Sequence, residues 1–159
     1  MTTTISIQPT FKSLKALKLA GLRYAGKNQN GEVSMMWDVF LPRVGEIVPD
    51  FATKSAVLYG ACRDEVAADG SFQYLAAAEV DSFDHLPQGF EGWDVPAQFY
   101  AVLPVHGLSE IHHVVHSFYH TWLPITQEYE LDGMFMLEVY PPGFADERLD
   151  LYFPVKHKK

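Results

Sequence analysis

Glu138 is the residue whose surroundings most clearly suggest chemistry, because it is a carboxylate inside an apolar stretch. It belongs to the run Met134–Tyr140, which reads Met-Phe-Met-Leu-Glu-Val-Tyr. Burying an unpaired carboxylate is costly, so such a group shifts its pKa, pairs with a cation or faces water. The stretch therefore predicts either an exposed strand residue or a charge at the base of a pocket.

The neighbours of Glu138 in an extended strand are compatible with both alternatives. Alternate strand residues share a face, so Met134, Met136 and Tyr140 lie on the same side as Glu138. Methionine side chains adapt to varied shapes, and an aromatic ring beside a carboxylate attracts a lipophilic cation. This face is therefore either an exposed outer surface or the wall of a cavity. The opposite face is wholly apolar and consists of Phe135, Leu137 and Val139.

Four histidines form the second group with chemical potential. Spacings of four residues place side chains on one helix face, as a metal pair requires. This face lies opposite the apolar side of the predicted helix, and no carboxylate or cysteine accompanies it at ligand spacing. We therefore expect a solvated polar face and predict neither a metal site nor a cofactor. The four residues are His112, His113, His116 and His120.

Nucleophilic and acid–base chemistry have little support in the sequence. Cys62 follows Gly60-Ala61 and has no adjacent base, and the chain contains no phosphate-binding or dinucleotide-binding glycine motif. Asp150 lies on the predicted last strand. Counting through a loop of about eight residues places Glu138 opposite Leu151 rather than Asp150, so a carboxylate pair is not indicated.

Hydrophobic periodicity predicts the order strand, helix, strand, strand, used twice. Pro42 is expected to end or kink the first helix. A stretch rich in Asp, Gly and Pro connects the two units. The predicted elements of the first unit are Ala16–Tyr24, a helix over Glu32–Val44, Ser55–Ala61 and Ser71–Ala78; those of the second are Gln98–Val105, a helix over Leu108–Leu123, Met134–Tyr140 and Leu149–Val155.

The two units also share a short sequence pattern. Phe40-Leu41-Pro42 and Trp122-Leu123-Pro124 end the helices, and a tyrosine follows each proline, Tyr59 after 17 positions and Tyr140 after 16. We predict a single α+β domain over residues 1–159, made of duplicated β-α-β-β units at about 16–80 and 98–156 with a connector at 81–97. The units should be related by a pseudo-two-fold axis, with antiparallel sheets, one helix per half and a ligand pocket at the seam.

The overall composition and net charge limit the classes of molecule that the protein is expected to bind. The net charge is −8, which disfavours direct nucleic-acid binding and is compatible with cationic ligands. One cysteine excludes an internal disulfide, and no run of 18 apolar residues is present. We expect a cytoplasmic protein with no membrane partner, since the first ten residues do not read as a signal peptide.

Several segments, among them Asp94–Val102 and Leu137–Tyr140, occur in a specific order and spacing. Together they resemble one family, the GyrI-like effector-binding domains. These occur at the C-terminal end of multidrug-sensing transcription regulators and as free-standing proteins, some of them on integron cassettes. The resemblance extends from about Ala16 to Lys156 and depends on the order and spacing of its segments. The most specific segments are Asp94–Val102, Trp122–Pro124, Leu137–Tyr140 and Leu151–Lys156.

The resemblance implies a duplicated β-α-β-β fold with a ligand pocket at the seam. In multidrug-sensing members, a glutamate on the penultimate strand meets cationic lipophilic compounds, and its match here is Glu138. A first-helix tyrosine of the family matches Trp37, and a Tyr-Gly pair matches Tyr59-Gly60. Tyr140 replaces an aliphatic residue and is expected to narrow the cavity.

We therefore expect a binding protein for a small lipophilic cation, with Glu138 as the charge and Trp37, Tyr59 and Tyr140 as aromatic walls. Tyr119 and Trp93 are further candidates, and Trp93 lies in the connector, where a loop aromatic could cover the cavity mouth. Two alternatives stay open: a hydrolase of electrophilic drugs that uses the same glutamate, and a gyrase-inhibitor-like protein-interaction module. The DNA-binding part of the regulators has no counterpart here, so we do not expect regulation of transcription by this chain alone.

Overall fold

The computed structural model describes residues 8–51, 56–63, 68–132, 135–142 and 148–159. The described residues form nine strands and two principal helices. The strands are β1 (Thr10–Leu14), β2 (Leu17–Gly26), β3 (Leu58–Arg63), β4 (Phe72–Glu79), β5 (Glu91–Val95), β6 (Gln98–His106), β7 (Tyr129–Leu131), β8 (Phe135–Tyr140) and β9 (Arg148–His157). The helices are α1 (Glu32–Phe40), α2 (Ile111–Ser117) and the short α3 (Leu123–Ile125).

Particular residues on either side of helix α1 determine where it begins and ends. Gly31 adopts a left-handed conformation (φ 73°) just before the helix, and the Asn28 side chain accepts a hydrogen bond from the Val33 amide. The helix was predicted over Glu32–Val44, with an early end or kink at Pro42, and the early end is confirmed. It tightens at Leu41 into a 3₁₀ segment that ends at Glu46, because Pro42 lacks the amide proton that an α-helix needs.

The second helical segment is continuous from Leu108 to Ile125 but changes its winding three times. A 3₁₀ turn, Leu108–Glu110, leads into α2, a π-helical stretch follows at Phe118–Trp122, and α3 ends the segment. The π-helical stretch places the Phe118 ring parallel to the Phe153 ring of β9, with 3.9 Å between the centroids. This stacked pair is the centre of the core beneath the second helix.

The sheet is antiparallel and has the strand order β1-β6-β9-β8-β3-β4-β2-β5, with β7 added beside β9. The order is symmetric about the β8–β3 pair, as a pseudo-two-fold axis between two units requires. Each edge strand crosses to the other unit: β1 pairs with β6, and β5 pairs with β2. The two halves are therefore joined at the centre and at both edges.

Three strands were missing from the sequence prediction. β5 lies inside the segment interpreted as a connector, and β1 precedes the first predicted strand. Both are five-residue edge strands. Edge strands tolerate the glycine, proline and charged residues that make such segments resemble loops. β7, which has three residues, is too short to show alternation.

The sheet has two dissimilar faces. One face carries both helices: α1 packs against β2 and β4, and α2 packs against β6. The other face has an apolar cluster of its own, in which Trp93 of β5 approaches Phe135 of β8 to 6.2 Å between ring centroids. Since three strands separate β5 from β8 in the sheet, this contact requires strong curvature. Among the described residues, no helix has the length and apolarity needed to cross a bilayer.

Gly21 lies where β2 and β4 approach each other closely. A methyl group there would overlap the main chain of β4 at Ala76 and Ala77, which cannot swing aside as a side chain could. We expect Gly21→Ala to destabilise the fold by about 2 kcal/mol or more, which is the usual cost of overpacking. The measurement is the urea midpoint, with an unchanged denaturant dependence of the free energy.

Gly45→Ala is the matched control, because a methyl group on Gly45 meets no atom within 4 Å. It should change the free energy of unfolding by no more than about 0.5 kcal/mol. Similar stability for the two variants would contradict the close approach of β2 to β4.

Candidate functional site

Glu138 lies on β8, at the centre of the sheet, and its side chain points to the helix-bearing face. Its cross-strand partner on β3 is Gly60, and its partner on β9 is Leu151, as the sequence predicted. Met136 and Tyr140 share its face. Glu138 is 9% exposed, so the carboxylate is buried where the two halves meet.

Two tyrosine hydroxyls donate hydrogen bonds to the same carboxylate oxygen. Tyr74 reaches Oε1 of Glu138 at 2.6 Å, and Tyr140 reaches it at 2.8 Å. Behind Tyr74, the indole Nε1–H of Trp37 donates to the Tyr74 hydroxyl at 2.8 Å. The four side chains form one network, which joins α1, β4 and β8 through buried hydrogen bonds.

Gly60 makes this network possible. Tyr74 lies on β4 and Glu138 on β8, and β3 separates these two strands. A methyl group on Gly60 would overlap both the Tyr74 hydroxyl and Oε1 of Glu138. Glycine therefore leaves open the space over β3 in which the phenol meets the carboxylate.

Opposing effects act on the protonation of Glu138. Burial raises the pKa of its carboxyl group, whereas the hydrogen bonds from Tyr74 and Tyr140 lower it, and the net direction is upward. The pKa of the Tyr74 hydroxyl is raised well above its ordinary value by burial and then by the Glu138 charge. Burial and the same charge also raise the pKa of Tyr140, so both phenols stay protonated donors.

The second oxygen of Glu138 remains available. Among the described residues, none donates a hydrogen bond to Oε2, and no Lys, Arg or His forms an ion pair with Glu138. Every fully enclosed side-chain oxygen of the described residues has a hydrogen-bond partner, so Oε2 retains contact with solvent. The carboxylate thus has one oxygen that accepts two hydrogen bonds and one that accepts none from the described residues.

The aromatic rings around Glu138 fill the space next to it. Trp37 meets Tyr140 edge to face, with 5.3 Å between centroids, and both are half-buried. Two surface clefts lie elsewhere, one beside Gln98, Asp132 and Lys156 and the other around Glu46–Pro49 and Glu79–Leu86. A ligand that reaches Glu138 must therefore displace one of the rings.

Tyr119 shares the helix-bearing face but lies towards the second half. Its ring meets Phe153 edge to face at 5.7 Å. Burial raises the pKa of its hydroxyl, and the Cys62 thiol adds to this effect. Cys62, on the same face, is two residues from Gly60 on β3. Of the two methionines predicted for this face, Met136 packs there, and Met134 lies outside the described residues.

Two of the predicted site residues lie on the opposite face of the sheet. Tyr59 pairs with Val139 and packs against the core of that face; its pKa is raised by burial, by Glu79 and by Tyr152. The expectation that Tyr59 provides an aromatic wall next to Glu138 is therefore wrong. Tyr59 is adjacent to Gly60, which pairs with Glu138, and adjacent residues of a strand point to opposite sides of the sheet.

Trp93 is also on that face and is only 3% exposed. It was expected to cover a cavity mouth from a loop, but it belongs to β5, with the Arg63 guanidinium 5.0 Å from its ring centroid. Its burial in an apolar cluster makes it a core residue of the opposite face.

The histidine face is exposed, as the helical periodicity predicted. His112, His113, His116 and His120 all face solvent, and the rings of His116 and His120 lie 4.3 Å apart. No group of three or more possible metal ligands occurs among the described residues.

Tyr74 was not among the predicted site residues. It is buried, with only 2% of its surface exposed, and it makes the shortest hydrogen bond to Glu138. The signal that could have identified it is its strand parity with Ala76 and Ala78, two small residues that would leave room for a helix on that face.

Known structures share this fold. SAV2435, whose structure was solved bound to tetraphenylphosphonium, superposes with a TM-score of 0.65 at 20% identity, over 94% of this chain and 94% of that one. An integron cassette protein from the mobile metagenome of Vibrio cholerae gives 0.56 at 13% identity, over 94% and 97% of the two chains. These likenesses confirm the α+β architecture.

Sequence comparison identifies the family. The chain is 28% identical over 147 residues to the transcriptional regulator BrlR of Pseudomonas aeruginosa; the match covers 88% of this chain and 52% of BrlR, so the chain spans about half the length of that relative. The family model of the integron-associated effector binding proteins matches residues 10–155. That range includes every strand except the last two residues of β9, and the chain belongs to this family of integron-associated effector binding proteins.

Proposed function

We propose that this protein binds amphipathic, cationic aromatic small molecules, with Glu138 as the anionic contact. The observation that supports this most directly is a buried carboxylate that has one oxygen without a hydrogen-bond donor and no cationic partner among the described residues. A buried charge without a partner is destabilising, and a cationic ligand would supply the missing charge.

The aromatic surroundings fit the same class of ligand. Trp37 and Tyr140 stand beside Glu138, and Tyr119 lies further along the same face. Aromatic faces attract cations, and the attraction increases when water is excluded. Tyr59 and Trp93 are not part of the proposed site, because they lie across the sheet from it.

Entry of the ligand requires movement of side chains. Trp37 and Tyr140 are half-buried, whereas Tyr74 is almost fully buried and its hydroxyl makes two hydrogen bonds, one accepted from Trp37 and one donated to Glu138. We place the ligand where the outer rings of Trp37 and Tyr140 now pack, against Oε2 of Glu138. The tetraphenylphosphonium bound to SAV2435, a protein of the same fold, is an aromatic cation of this kind and supports the choice of probe.

Glu138→Gln separates the charge from the shape of the site. Affinity for tetraphenylphosphonium should fall at least about tenfold, or about 1.4 kcal/mol, because the amide provides no negative charge. Affinity for neutral triphenylphosphine oxide should change by less than about twofold, since the apolar contacts remain. Isothermal titration calorimetry measures both.

Glu79→Gln is the matched control: it removes the same charge at an exposed position at the end of β4. It should leave both affinities as in the wild type. The proposal fails if Glu138→Gln binds the cation as tightly as the wild type does, or if it loses the two compounds in parallel.

The pH dependence of stability provides a test without ligand. Because the pKa of Glu138 is raised in the folded state, the folded protein binds its proton more tightly than the unfolded chain does. The associated stability is complete below the unfolded pKa and is lost as pH rises through the folded pKa. As pH rises from about 4 through the folded-state pKa of Glu138, wild-type stability should therefore decline relative to that of Glu138→Gln.

The measurement is the difference between the unfolding free energies of the two proteins, from urea titrations at each pH. Using the difference cancels titrations that both proteins share. A difference that stays constant over this range, or that grows in favour of the wild type, would contradict an unpaired buried carboxylate.

A further inference from the structure

Tyr74 stands between Trp37 and Glu138 in a directed chain of hydrogen bonds. The indole Nε1–H can only donate, so it must use the Tyr74 oxygen as its acceptor. The single proton of the Tyr74 hydroxyl is then directed to Oε1 of Glu138. Donation to an oxygen polarises its own O–H group and strengthens the next hydrogen bond in the chain.

We propose that Tyr74 is the positioning residue that gives the site its selectivity for charge, by holding Glu138 ionised through Oε1 and leaving Oε2 for the ligand. This inference rests on the proposed function and adds a residue-level cause to it. A neutral Glu138 would leave the aromatic pocket without its anionic contact and would weaken its preference for cations. Hydrogen bonds to the ionised form oppose the effect of burial, and Tyr74 provides the shorter of the two.

Tyr140 cannot fill this role in the occupied site. It donates to the same oxygen, but it is half-buried and packs edge to face on Trp37, where we place the ligand. Tyr74 is enclosed beneath α1 and occupies the space that Gly60 leaves over β3. When a ligand displaces the outer rings, Tyr74 is the donor that stays in place.

The other titratable groups that face Glu138 do not compete with it near neutral pH. Tyr140 comes from its own strand, Cys62 from β3 and Tyr119 from the second helical segment, and burial raises the pKa of all three. On α1, Trp37 does not titrate and Asp38 is exposed. On β9, Leu151 lies opposite Glu138, while Asp150 pairs with Val139 and points to the other face. These three groups therefore stay protonated while the Glu138 carboxyl group titrates.

Tyr74→Phe removes the hydroxyl and keeps the ring. The first readout needs no ligand: the ¹³C resonance of the Glu138 carboxyl group, identified by its loss in Glu138→Gln, is followed against pH. Its midpoint should move to higher pH in Tyr74→Phe. The second readout is tetraphenylphosphonium affinity, which should fall about tenfold at pH values below the shifted Glu138 midpoint, recover above it and leave triphenylphosphine oxide binding unchanged.

Two further variants make the test specific. Gly60→Ala keeps every group of the network but places a methyl where the Tyr74 hydroxyl meets Glu138, so its Glu138 midpoint should also move to higher pH. Tyr100→Phe removes a buried hydroxyl from the core of the opposite face and should leave the midpoint in place. Gly60→Ala also provides the answer if Tyr74→Phe fails to fold.

The outcomes are distinguishable. An unchanged Glu138 midpoint in a folded Tyr74→Phe or Gly60→Ala protein overturns the role of Tyr74, even if the wild type binds the cation. An equal shift in Tyr100→Phe overturns it as well. If the midpoint moves as expected but the wild type does not bind tetraphenylphosphonium, the conclusion that Tyr74 favours the ionised form of Glu138 stands. The proposed ligand class then fails.

Discussion

The pairing of Glu138 with Gly60 is the constraint on which the site depends. β3 and β8 join the two halves of the sheet, and their register places the one carboxylate buried among the described residues opposite a residue with no side chain. Any side chain on Gly60 would exclude either the carboxylate or the phenol of Tyr74. β8 thus provides the charged side chain, and Gly60 of β3 provides the space that this side chain needs.

A buried carboxylate in this position must be stabilised without being neutralised by a cation from the protein. The hydroxyls of Tyr74 and Tyr140 do this, because they donate hydrogen bonds and carry no charge of their own. A lysine or arginine would satisfy the carboxylate more fully, but it would also occupy the place of the proposed ligand. Natural proteins commonly accept such a loss of stability where a binding site requires it. The upward net shift of the Glu138 pKa agrees with a carboxylate that is only partly satisfied.

Much of the central strand could be predicted from the sequence, because it depends on strand parity. The alternation in 134–140 identified the face of Glu138 and Tyr140, and the loop length before β9 identified Leu151 as the cross-strand partner. Helical periodicity likewise identified the exposed histidine face. The edge strands could not be predicted in the same way. β5 contains Gly92 and precedes Pro96, residues that indicate a loop unless a neighbouring strand is known to pair with them.

The two misplaced aromatics have different causes. Trp93 was misplaced because its strand was not recognised. Tyr59 was placed in the site because the resemblance matches Tyr59-Gly60 to a Tyr-Gly pair of the family, but of these two residues it is Gly60 that pairs with Glu138. One residue in a strand reverses the face, so Tyr59 and Tyr140 point to opposite sides of the sheet.

The repeat therefore preserves the architecture but not the chemistry of its strands. At the junction, one half provides Glu138 and Tyr140, and the other provides Gly60 and, one strand further out, Tyr74. A pseudo-two-fold axis would allow two carboxylates to face each other there, and their mutual repulsion would favour protonation of one of them. By using glycine on one side and glutamate on the other, the molecule keeps a single negative charge at its centre and gives the tyrosine of the outer strand direct access to it.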